Sequence, residues 1–160
     1  MVDDSTREAV YLGVKGAMFL YGGLFRGLAE AIGLEKAIEL HSKIQEPFGD
    51  GLAVLLKNRL GSKEVDIKTF SEVYRSTSTM GVENVYEETP SSFVVKGFSC
   101  PIYSGLKEAG LDHQTIKTMC EGAGNLIYKA FNRHYPKVEA RMRFRDSPED
   151  CCVEEYRLKK

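Results

Sequence analysis

Tryptophan is absent from this chain, histidine occurs only three times, and no apolar run approaches the length that crosses a bilayer. No membrane span is therefore expected. Charge of one sign is missing too: 22 basic side chains face 23 acidic ones, for a formal net charge of −1, which lacks the bulk electrostatic signature of a nucleic-acid binder. Low-complexity tracts and repeats with a period of some tens of residues are also missing, which excludes disordered and solenoid architectures. The first residues, Met1-Val2-Asp3-Asp4, have no basic start and no apolar stretch, so a secretory signal is not expected and a cytoplasmic location is. No Cys-x-x-Cys occurs, nor a Ser-His-Asp order, a phosphate-binding glycine loop or a His-Glu-x-x-His. What remains is 160 residues, 42% of them hydrophobic, read as a single domain over 1–160 whose core needs no disulfide or structural metal. Its four cysteines are free to be chemical.

The hydrophobic period is helical first. Ser5-Thr6-Arg7-Glu8 fits a capping box, and Val10, Val14, Ala17, Met18, Tyr21, Leu24, Phe25, Leu28 and Ile32 then recur at steps of three and four. Gly13, Gly16, Gly22, Gly23 and Gly27 lie in the same run, each costing up to about 1 kcal/mol of helix propensity relative to alanine. Close approach of another backbone, or of a ligand, is the natural compensation. Gly33 breaks the run. A second helix is expected from Leu34 to Gln45, interrupted at Pro47, Gly49 and Gly51 and resumed over Leu52 to Leu60. Asp66 caps a third, with Ile67, Phe70, Val73 and Tyr74 on its buried side, and Gly81 stops it.

The period then changes. Val82 to Glu88 and Phe93 to Phe98 read as a hairpin around Thr89-Pro90-Ser91-Ser92. Pro101 to Ala109 reads as a short helix ended by Gly110, and Asp112 caps a longer one reaching about Asn132. From Val138 to Asp146, apolar Val138, Ala140, Met142 and Phe144 alternate with charged Glu139, Arg141, Arg143 and Arg145, and Cys151 to Leu158 returns as the last strand. The expected class is α+β: N-terminal helices, then an antiparallel four-stranded sheet of two hairpins in the order ββ-α-α-ββ, with helices on one face.

The cysteines carry the candidate chemistry. Cys100 falls where a strand gives way to a helix, so its sulfur is expected near a helix N-terminus, where peptide dipoles favour a thiolate. Cys120 belongs to the apolar stripe Ile116, Met119, Cys120, Ala123, Ile127, Phe131. Cys152 shares a strand face with Glu154, Tyr156 and Leu158, and Cys151 shares the other with Val153, Glu155 and Arg157. With the first face inward, Glu154 is a buried carboxylate that needs a partner. One account makes these cysteines small buried hydrophobes. The other gathers Cys100, Cys120 and Cys152 around one pocket, as a nucleophile or as soft ligands for a divalent metal. Among the histidines, His41 lies on the stripe Leu34, Ala37, Ile38, His41 and is the one expected to reach the interior, while His113 and His134 read as surface residues. Arg141, Arg143 and Arg145, with Arg133 and Lys137 nearby, read as a solvated basic strand face.

In order and spacing, the segments Tyr21 to Leu34 leading into Glu35-Lys36-Ala37, Glu87-Glu88-Thr89, Phe98-Ser99-Cys100-Pro101, Met119-Cys120-Glu121 and Glu149-Asp150-Cys151-Cys152-Val153-Glu154 resemble the L-2-amino-thiazoline-4-carboxylic acid hydrolase family, from about Val10 to Leu158. The layout is also similar to 4-vinyl reductase-like ligand-binding domains. The resemblance implies a hydrophobic pocket for a compact organic molecule, a dimeric assembly and, for the hydrolase family, opening of a thiazoline ring by water at a carbon–nitrogen bond. By position it makes Cys100, Cys120 and Cys152 the matching cysteines. Glu149-Asp150-Cys151-Cys152 stands where many relatives have a glycine-aspartate turn, which leaves open whether Cys151 or Cys152 is the equivalent residue.

Two functions follow as expectations. In the first, the chain is a hydrolase of a non-peptide carbon–nitrogen bond, with Cys100 or Cys152 as nucleophile and His41 or Glu154 handling protons. In the second it is a non-catalytic domain that binds or senses a hydrophobic small molecule, walled by Phe19, Tyr21, Phe25, Tyr86 and Phe98. A third possibility is an interaction subunit whose exposed apolar face pairs with itself, as a homodimer, or with a partner.

Overall fold

The computed structural model of the chain describes residues 3–60, 66–77 and 84–159. Gly81 as a helix stop and Val82 and Glu83 as a strand start lie outside the described residues. Within them the chain is α+β, with five helices and one four-stranded antiparallel sheet: α1 (Asp4–Ile32), α2 (Leu34–Leu60), α3 (Ile67–Thr77), β1 (Asn84–Thr89), β2 (Ser92–Gly97), α4 (Pro101–Glu108), α5 (His113–His134), β3 (Val138–Arg143) and β4 (Cys152–Leu158). No helix among the described residues is long and apolar enough to cross a membrane.

Local chemistry explains most of the boundaries. The cap of α1 is Asp3, not Ser5: its carboxylate accepts from the Thr6 N–H at 2.8 Å and from the Ser5 hydroxyl at 2.6 Å. Asp66 and Asp112 cap α3 and α5 in the same way, through Thr69 and Thr115. Gly110, at φ +89°, lets the chain reverse after α4 so that the Leu111 N–H reaches the Leu106 carbonyl.

The break expected at Pro47 does not occur, and α2 runs unbroken to Leu60. Proline removes one backbone donor, but tertiary packing along α5 outweighs that loss. At Gly49 a Cβ would lie 2.8 Å from the Ile127 Cα, so the two backbones touch. Asp50 pairs with Arg133 and His134 at the end of α5, and Tyr135 donates to the Ala53 carbonyl. Gly51, in the same helix, has nothing within 4 Å of the point where a Cβ would stand. Gly51→Ala should therefore raise the unfolding free energy by about 0.5–1 kcal/mol through helix propensity alone, read from urea unfolding at constant slope.

The strands lie in the order β1-β2-β4-β3, all neighbours antiparallel. The exposed edge of β3 is capped by a side chain: Asn132 donates to the Ala140 carbonyl at 3.0 Å and accepts from the Ala140 N–H at 2.8 Å, standing in for a missing strand. Two core clusters result. The first joins α3, α5 and the sheet through Phe70, Phe93, Phe131 and Tyr156, with the Phe70 and Tyr156 rings 4.7 Å apart. The second joins α1, α2, α4 and α5 around Phe25, Tyr103, Leu106, Ile116 and Met119.

α1 differs from the single inward stripe expected for it. Phe25 is buried, but Leu24 on the same stripe is 75% exposed. The helix is apolar almost all round, so its period alone does not say which side faces the core.

Candidate functional site

The register of the sheet brings Cys152 opposite Gly97, and Cys100 follows three residues after that glycine, just before α4. Cys120 comes down from α5. All three sulfur-bearing residues pack against the second core cluster, beside Met142 and Ile102. They lie near enough for charge on one to be felt by the others: ionised Cys100 and Cys152 both oppose ionisation of Cys120, and Cys152 opposes that of Cys100. Cys151 is buried on the other side of the strand start and belongs to neither cluster.

The thiolate expected at the start of α4 is not favoured. Burial pushes the Cys100 thiol up, and the opposing backbone N–H groups of Tyr103 and Ile102 only partly offset it. Cys120 is raised much further, again by burial first. Among the described residues no three His, Cys, Asp and Glu side chains converge closely enough to hold a metal ion.

Sequence reasoning misses the most unusual side chain of this region. Alternation puts Arg145 on the solvated face with Arg141 and Arg143. β3 ends at Arg143, the alternation stops with it, and Arg145 turns inward to 3% exposure. Its guanidinium donates to the carbonyls of Phe98 at 3.0 Å, Pro148 at 3.2 Å and Gly97 at 3.4 Å. It also lies over the Tyr103 ring, 4.7 Å from the centroid. Its Nε has no partner, and among the described residues no carboxylate pairs with it. By contrast Arg141, Arg143 and Arg157 all have acidic partners. The one sequence signal is the turn that follows, Asp146-Ser147-Pro148, whose carbonyls a cation can collect. The charge of Arg145 favours the ionised forms of Cys100 and Cys120.

The other expected residues scatter. His41 is buried at 8% exposure, with its Nδ1 2.6 Å from the Tyr21 hydroxyl and a hydrogen bond to the Met119 backbone. Burial lowers its pKa, so it is neutral near pH 7, and both neighbours tie its ring between α1 and α5. Glu154 finds its partners in three tyrosines: Tyr74 and Tyr156 donate to it at 2.7 and 2.8 Å, and Tyr128 bonds to it as well. The expected aromatic wall is likewise divided. Tyr21 and Phe25 pack in the second cluster, Tyr86 stacks on Phe93 in the first, and Phe19 and Phe98 are exposed, Phe98 at 47%. A separate open groove of about 440 Å³ lies between α5 and β3, floored by Tyr128, Ala140 and Met142, with Lys129, Arg133 and Arg141 at its rim.

Neither protein-family models nor curated proteins provide a match to this chain.

Proposed function

We propose that the chain binds a small anionic organic molecule where Cys100, Cys120 and Cys152 meet Arg145. The observation that carries this reading is the buried guanidinium: it has backbone carbonyls and an aromatic face for company, a free Nε–H and, among the described residues, no carboxylate within ion-pair distance. A buried cation without a counter-charge is costly, and an anionic ligand supplies what the fold leaves out. The Cys100 and Cys120 thiols, held protonated by burial, give the ligand a soft apolar surface.

Thermal shift against small carboxylic acids and their matching neutral amides tests it. The acids should raise the melting midpoint by mass action, the amides should not, and Arg145→Met should abolish the shift. Equal shifts with acids and amides, or an undiminished shift in the variant, would refute it.

The resemblance to thiazoline-carboxylate hydrolases supplies a second reading, supported by the backbone N–H groups of Ile102 and Tyr103 that face the Cys100 sulfur. Water would add to the carbon of the ring carbon–nitrogen double bond, the ring nitrogen would leave with a proton, and a carbamoyl thioester would remain. Loss of thiazoline absorbance on mixing with the protein, abolished in Cys100→Ser, is the expected result. No turnover by the unaltered protein would leave binding alone.

A further inference from the structure

The outer face of α1 is apolar, exposed and symmetric about Leu20. Among the exposed residues from Ala9 to Ala31 on this helix, the charges are Arg26 and Glu30, and Arg26 turns aside to the Ala109 carbonyl at the C-terminal end of α4. The rest is alanine, glycine, leucine and one phenylalanine. Counted outward from Leu20, Leu12 mirrors Leu28, Gly13 mirrors Gly27 and Ala9 mirrors Ala31. Bulk is also complementary: Gly16 mirrors Leu24, so a hollow on one half matches a knob on the other. Among the described residues nothing lies within 4 Å of where a side chain at Gly13, Gly16, Gly23 or Gly27 would begin. Those glycines therefore have no packing role among the described residues.

From these observations we infer that the outer face of α1 pairs with the same face of a second copy, the two helices antiparallel and the two-fold axis passing by Leu20. In that arrangement residue i faces residue 40 − i of the partner: leucines meet leucines near the ends, and each Leu24 enters the gap at the other copy's Gly16. An isologous interface requires such self-complementarity, and a surface meant for an unrelated partner has no reason to mirror itself. Glycine allows the two backbones to approach closely. The area agrees: the exposed leucines, Phe19, and the glycines and alanines between them offer on the order of 800 Å², the amount each partner contributes to a stable interface. That is also a larger apolar patch than a monomer commonly leaves in water.

The test is solution mass together with directed cross-linking of the full chain. Light scattering at tens of micromolar should give twice the 17.9 kDa of one chain. Leu20→Glu, which sets two carboxylates against each other at the axis, and independently Gly16→Arg should each give a monomer with an unchanged far-ultraviolet circular dichroism spectrum. Leu20→Cys should cross-link to itself, as mapped by peptide mass. Leu12→Cys should not, because the two copies of that residue lie about 24 Å apart along the helices; mixed with Leu28→Cys it should. A monomeric wild type, a dimer untouched by both variants, rapid self-cross-linking at Leu12→Cys, or a monomer that binds phosphatidylcholine vesicles through this face would overturn the pairing.

Discussion

Gly105→Ala should lower the unfolding free energy by about 3 kcal/mol, and Gly105→Val should leave little folded protein. A Cβ at Gly105 would lie 2.4 Å from the Lys15 carbonyl oxygen, 2.7 Å from the Met18 Cβ and 2.9 Å from the Phe19 N. Two of these atoms are backbone, so no rotamer change makes room and the helices must part. The contact is close on both sides, since a Cβ at Gly22 would meet the Ala109 Cβ at 2.6 Å. α1 is thus held against α4 by bare backbone, reinforced by the Tyr11–Ser104 hydroxyl pair and by Lys15 with Glu108. Separation would also disturb Tyr103 and Leu106, which flank Gly105 in the second core cluster and support Arg145 and the cysteines. The expected fall in thermal midpoint for Gly105→Ala is roughly 10 °C, against a small rise for Gly51→Ala in the same background. A neutral Gly105→Ala would mean that α1 and α4 are not in backbone contact.

How far the fold is legible depends on whether local pattern and tertiary demand agree. From Val138 to Arg143 they do: period two separates buried Val138 and Ala140 from exposed Glu139 and Arg141. The same alternation carried on to Arg145 points that side chain the wrong way, because a pattern does not announce where the strand ends. At Pro47 a strong local breaker loses to packing that only the folded α2–α5 pair provides. On α1 the difficulty is the reverse, an excess of apolar signal. Close backbone approach is the right kind of compensation for its glycines, but it applies at Gly22 and leaves Gly13, Gly16, Gly23 and Gly27 without neighbours among the described residues. In the candidate site, the inward face of Cys152, Glu154 and Tyr156 can be read from period two, whereas the cation beside the sulfurs cannot. Nor can Cys100 be judged from helix position alone, because burial and the helix N-terminus push a thiol in opposite directions and their balance is a property of the whole fold.

The Glu154 network should govern stability in alkali. Tyr74, Tyr128 and Tyr156 all bond to this one carboxylate, and burial together with its negative charge raises each phenol well above its usual value. In the unfolded chain a phenol loses its proton near pH 10; in the folded chain these keep theirs. Above about pH 10 the unfolded state therefore binds fewer protons, and unfolding becomes easier by up to about 1.4 kcal/mol per pH unit for each such phenol. Tyr135, pushed up to about 12 by burial, adds to the same loss. Stability should be flat with respect to these groups below pH 9 and fall steeply above 10, with tyrosinate absorbance appearing together with loss of circular dichroism. Glu154→Ala should cost about 3–5 kcal/mol at neutral pH, because it strips the acceptor from several buried hydroxyls at once. Tyr74→Phe removes one donor and leaves the carboxylate its others, so about 1 kcal/mol is expected. Tyrosinate appearing at its ordinary pH while the chain stays folded would show that the phenols are not held by Glu154, and the large cost assigned to that residue would fall with them.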